Sequence, residues 1–185
     1  MNNSLPKNYQ WLNDIGVLPR TIQEGLKLYG VTETPGQANT AEIMSWRDEL
    51  IAAGVNIKGF TGDNIPWCGL FAAIVTLRRS GKASEVVKDP LWALNWANYG
   101  VPTKAPALGD VLAFSRPSGG HVGFYVGEDD DCYHVLGGNQ SDKVGFTRVL
   151  KGRLRSARSP QFVSKPATAV PFKLSSVGAV STNEQ

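Results

Sequence analysis

The chain changes pattern at Gly100, and that change limits its architecture more than any other feature. Before Gly100, apolar residues recur at helical spacing and segments stop at glycine. "LPRTIQEGLKLYG" sets Pro19 near a helix start and Gly30 at its stop. "NTAEIMSWRDELIAAG" offers Thr40 as N-cap, puts Ile43, Trp46, Leu50 and Ile51 on one face and ends at Gly54. A third helix opens at Cys68 in "DNIPWCGLFAAIVTLRRSG". "KDPLWALNWANYG" predicts a fourth, with Asp89 as cap, Pro90 at the first position and Gly100 at the end. After Gly100, "DVLAFS", "HVGFYVGE", "CYHVLGGN" and "VGFTRVL" are short, rich in β-branched and aromatic residues, and separated by turn-forming clusters. Helices first and antiparallel strands afterwards predict an α+β fold, with N-terminal helices packed on a C-terminal sheet.

A chain of 185 residues, 42% of them hydrophobic, supports one good core. It contains no apolar run of about 18 residues, so no membrane span is expected. The start, "MNNSLPKNYQWLNDIG", lacks the basic and apolar stretches of a secretory signal, which predicts synthesis in a cytoplasm without a leader. Two cysteines, Cys68 and Cys132, do not make a disulfide framework.

Charge is unevenly spread. Met1 to Asp142 holds 11 basic and 15 acidic residues, whereas Lys143 to Gln185 holds 8 basic and one acidic. The basic end reads as a solvated terminus, with attraction to an anionic envelope as its functional counterpart. No basic motif interleaved with aromatics points to nucleic acid. From Ser159 the chain has three prolines and no period, which predicts an extended or disordered tail. The expected organisation is an N-terminal extension over 1–17, a domain over 18–158 and a basic tail over 159–185.

Cys68 has two readings. A buried cysteine is an ordinary small hydrophobe. At the first turn of a helix, however, unpaired N–H groups and the positive dipole end favour a thiolate, and the Cys68 N–H is free to receive an oxyanion. The two histidines, His121 and His134, both lie in predicted strands. A hairpin centred on Asp130 pairs Glu128 with Cys132 and His121 with Asn139, so an Asn carbonyl orients the imidazole. The same register turns Cys132 and His134 to the other face, where His134 reads as a packed or edge histidine. A zinc site would need both faces and lacks a close CxxC or HxxxH pair. The run Glu128 to Asp131 lacks the ligand spacing of a calcium loop and reads as a solvated turn. Asp110 in "LGDVLAF" reads as the cap of a turn.

"DNIPWCGLFAAIV" and "PALGDVLAFSRPSGGHVGFYVGEDDDCYHVLGGNQSDKVGFTRV" together resemble the CHAP and NlpC-type papain-like cell-wall hydrolases, in their phage- and prophage-associated branch. The likeness spans roughly Leu18 to Arg155. It implies Cys68 as nucleophile, His121 as general base and Asn139 as the orienting residue, with no metal or organic cofactor. Gly137 stands where many such domains carry a Glu, and Gln140 is only a neighbour, which takes the place of Asn139 if the strand end twists. Peptidoglycan is the implied substrate, cleaved at an amide by a cysteine amidase or endopeptidase. The implied setting is a phage endolysin or a virion- or tail-borne lysin acting at the bacterial wall. The alternative is a non-catalytic virion or tail component that keeps the fold.

Overall fold

A computed structural model describes residues 5–36, 38–178 and 180–181. Three α-helices, α1 (Arg20–Lys27), α2 (Ala41–Ala52) and α3 (Cys68–Ser80), precede six strands: β1 (Val101–Pro102), β2 (Val111–Arg116), β3 (Gly119–Glu128), β4 (Cys132–Gly137), β5 (Gly145–Leu150) and β6 (Leu154–Ser159). The strands form one antiparallel sheet in the order β1-β6-β2-β3-β4-β5. This is the expected α+β layout. No helix among the described residues is long and apolar enough to cross a membrane.

The central element is α3, buried from Cys68 through Leu77. Its residues share one cluster with Ile43, Trp46 and Leu50 of α2 and with Val111, Ala113, Val122, Phe124 and Leu136 of the sheet. The opposite sheet face carries a second cluster built from Leu112, Phe114, Tyr125, Val135 and Val149. Alternation along β2 and β3 divides these two sets, as period-2 geometry requires.

Four expectations need correction. Ile51 is 55% exposed and outside the buried face of α2. The segment after Asp89 forms only a 3-10 helix, Ala93–Asn98, capped by Trp92, and Asp89 has φ +49° instead of the extended conformation typical of an N-cap. Side chains take the carbonyls that would have started an α-helix: Trp96 Nε1 donates to Pro90 O (2.9 Å) and Asn95 Nδ2 to Asp89 O (3.0 Å). The hairpin register is also mixed. Phe124 faces Leu136 and Tyr125 faces Val135 as expected, but a bulge then sets His134 against Gly127 and Tyr133 against Glu128.

The fourth correction concerns both chain ends. Leu5, Tyr9 and Leu12, in the segment set apart as an extension, belong to the main core. Beyond β6 the chain runs extended, the first of the two expected forms, and packs on the domain rather than standing apart from it. Ala169 is buried, Phe172 lies 4.6 Å from Trp11 between ring centroids, and Glu128 N–H donates to Phe172 O (2.9 Å). Part of the basic excess is tied down. Lys151 and Lys173 both pair with Glu128, Arg148 pairs with Asp129, and Arg158 donates to Tyr99 O and Gly100 O.

Candidate active site

Trp67 fixes where α3 begins. Its indole is fully buried against Trp46, its Nε1–H donates to Glu33 (3.0 Å), and its carbonyl accepts the first helical bond, from Phe71 N–H (3.0 Å). Cys68 is therefore the first helical residue, where N–H groups lack intrahelical partners.

Burial pushes the Cys68 thiol up from its ordinary value. The N–H of Val122, the charge of Arg116 and the N–H groups of Gly69 and Cys68 oppose that rise without cancelling it. The sulfur thus lies against the β3 backbone one residue beyond His121. At rest it is a protonated thiol that needs a base, rather than a thiolate held by the helix dipole alone.

His121 sits opposite Phe114 across the β2–β3 pair, with ring centroids 6.4 Å apart. Its Nε2 lies 3.1 Å from Gln140 Oε1. The orientation of that amide is decided by its other end. Gln140 Nε2 donates to the carbonyls of Gly145 (2.5 Å) and Gly137 (3.2 Å), so Oε1 is the atom that faces the imidazole. His121 Nε2 must then carry the proton, and Nδ1 is left as the basic nitrogen.

Asn139 does not take the expected place. β4 ends at Gly137, and Gly138 is pressed on α3: a Cβ there would lie 2.5 Å from Phe71 Cβ and 2.7 Å from Trp67. The chain turns away, Asn139 adopts φ +53°, and its buried Oδ1 accepts no hydrogen bond among the described residues. Ladder pairing therefore stops before His121 and Asn139 can meet. The doublet Gly137-Gly138 was the sequence signal that the strand ends early.

A cavity of about 350 Å³ reaches Cys68, with Ile65, Pro66, Leu91, Trp92, Arg116 and Gly120 among its walls. Cys68 is 4% exposed and His121 1% exposed, so both lie at the limit of solvent access. Asp110 plays the expected turn role, accepting from Ala107 N–H (2.9 Å) and Ser159 Oγ (2.7 Å).

The second histidine belongs to a network that sequence reading missed. Tyr9 Oη lies 2.8 Å from His134 Nδ1, His134 Nε2 lies 2.9 Å from Asp129 Oδ2, and Arg148 Nε donates to the same oxygen at 2.7 Å. Burial would push the Asp129 carboxyl up. Hydrogen bonds from Arg148, Cys132 N–H, His134 and Asp131 N–H outweigh it and hold the group well below the usual carboxylate range. The ionised Asp129 requires the proton on His134 Nε2, so the Tyr9 hydroxyl donates to Nδ1. Asp129 is accordingly a buried anchor and not part of a solvated turn. Among the described residues no three His, Cys, Asp or Glu side chains converge as metal ligands would.

Comparison of the chain with protein-family models and with curated protein sequences finds no match. Its functional reading therefore rests on the residues themselves.

Proposed function

We propose that this protein is a cysteine hydrolase that cleaves an amide bond of peptidoglycan through Cys68, His121 and Gln140. The observation that carries the reading is the placement of Cys68 at the first turn of a buried helix, with its sulfur on the backbone beside His121. Papain-like hydrolases place their nucleophile at such a helix start, and the resemblance of "PWC", "GGHVGF" and "LGGNQSD" to cell-wall hydrolases supplies both the His121 base and the substrate class. The same resemblance supplies the setting, a phage lysin or virion-borne enzyme.

In this mechanism His121 Nδ1 takes the thiol proton as Cys68 Sγ attacks the carbonyl carbon. The oxyanion collects at the α3 start, where first-turn N–H groups face it. The imidazolium then returns its proton to the leaving amine, and water releases the acyl group from sulfur. Gln140 holds the tautomer that makes Nδ1 the base; its role replaces the one expected of Asn139.

One observation favours a rival. The near-complete burial of Cys68 and His121 suits a virion or tail component that keeps the fold and has no turnover. Digestion of purified peptidoglycan by the wild-type chain and by Cys68→Ala separates the two.

A further inference from the structure

Trp92 is the one exposed aromatic side chain among the described residues, with 60% of its surface in water. It lines the cavity that reaches Cys68. A large indole left open at the mouth of a cleft is the informative exception to burial.

Its backbone is clamped. Trp92 N–H donates to Asp89 O (3.1 Å), Asn95 N–H donates to Trp92 O (2.9 Å), and the buried Trp96 anchors the segment through Pro90 O. The Pro90–Leu91 backbone is pressed on the first turn of α3, where a Cβ at Gly69 would stand 2.3 Å from Pro90 O. Leu94 meets the start of β3 in the same way, 2.9 Å from a Cβ at Gly120. The segment is wedged between the helix that bears Cys68 and the strand that bears His121, so the backbone from which the indole projects keeps a fixed relation to both. Ile65, Pro66 and Leu91 continue the apolar wall.

We infer that Trp92 is the platform for a sugar ring of the substrate, so that the enzyme takes a stem peptide still joined to its glycan. This rests on the hydrolase reading of Cys68. The face of an indole carries the negative side of its quadrupole and attracts the C–H groups on one face of a pyranose. The sugar hydroxyls stay in water at the open mouth, while the attached peptide reaches into a cavity of the size small-ligand sites use, about 300–1,000 Å³. Because the backbone under the platform is already held, only the two side-chain torsions of Trp92 need to be fixed when the ring docks.

The test uses the folded Cys68→Ala full chain, which holds ligand without turning it over. Two probes are compared: a disaccharide-linked tetrapeptide, N-acetylglucosaminyl-N-acetylmuramyl-tetrapeptide, and the same tetrapeptide without sugar. The Trp92 indole N–H is followed by NMR, assigned by its loss in Trp92→Phe. The glycan-linked probe should move that signal and bind at least about fivefold more tightly than the bare peptide, the scale of one aromatic contact. Trp92→Ala should erase the difference and Trp92→Phe should keep most of it. Equal affinity for the two probes, no binding of either, an unmoved indole signal, or undiminished preference in Trp92→Ala would overturn the platform. Glycan binding of this kind without cleavage by the wild-type chain would sink the hydrolase reading and leave the platform. Cleavage with a KM indifferent to Trp92→Ala would do the reverse.

Discussion

His121 Nε2 donates to Gln140 Oε1 across 3.1 Å, and the Gln140 amide can present no other atom, because its Nε2 is committed to the carbonyls of Gly137 and Gly145. One glutamine therefore ties the imidazole to the end of β4 and the start of β5. Its neighbour Asn139 is turned away in a left-handed conformation.

Gln140→Ala should accordingly lower kcat by at least about tenfold, part of the 10²–10⁴-fold that a positioned acid–base group supplies. Asn139→Ala should leave kcat close to wild type, because its buried Oδ1 accepts no hydrogen bond among the described residues and orients no catalytic group. Melting curves must accompany the rates, since Gln140 is buried. A folded Gln140→Ala with full kcat, beside an inactive Asn139→Ala, would make Asn139 the residue that orients His121.

Cys68 carries a pH signature. Burial raises its thiol above the ordinary range despite the opposing N–H groups and Arg116, so the thiolate is scarce at neutral pH. The rate of iodoacetamide alkylation at Cys68, read by peptide mass spectrometry, should keep climbing as pH passes the usual thiol range. A plateau already reached in mildly acidic buffer would mean a preformed thiolate–imidazolium pair and contradict this resting state.

Much of this fold is legible in the sequence. The stops at Gly30 and Gly54, the opening of α3 at Cys68 and the four hairpin strands follow from period and turn chemistry, and all are present. Local pattern failed where distant parts of the chain decide. The Asp89 segment is remodelled by its contact with Gly69, twenty residues away, and the tail is ordered by Trp11 and Glu128. β6, "LRSARS", alternates too weakly to announce itself, and its pairing with β2 supplies what its sequence lacks. The shift from Asn139 to Gln140 lies on the same link: α3 forces Gly138 aside, and no strand periodicity reports that.

Gly69 provides a sign test. In an open helix, Gly→Ala gains about 1 kcal/mol. Here the new Cβ meets Pro90 O at 2.3 Å and Leu91 Cα at 2.9 Å, both backbone. Gly69→Ala should therefore destabilise the fold by roughly 1–3 kcal/mol, the range for overpacking. Urea denaturation decides it, and a stabilised variant would show that the Pro90–Leu91 segment is not pressed on α3.

The Tyr9–His134–Asp129–Arg148 network should make stability fall on acidification in two steps. Burial lowers the His134 pKa below 6.5, so the folded state binds fewer protons there than the unfolded chain; its contribution is complete above 6.5 and lost as pH falls through the folded value. The depressed Asp129 adds a second contribution, complete above its unfolded value near 3.8 and lost at still lower pH. His134→Ala should flatten the upper step. Asp129→Asn should lower stability at neutral pH by about 3–5 kcal/mol, the loss from breaking a buried pair. Parallel pH–stability curves for wild type and His134→Ala would remove His134 from the account.

The most direct measurement is mass spectrometry of purified peptidoglycan after digestion with the wild-type protein and with folded Cys68→Ala. The account predicts that wild type releases fragments carrying a new amine and a new carboxyl at one amide bond, and that Cys68→Ala releases none. Fragments released equally by Cys68→Ala, or no amide cleaved by wild type, would contradict it.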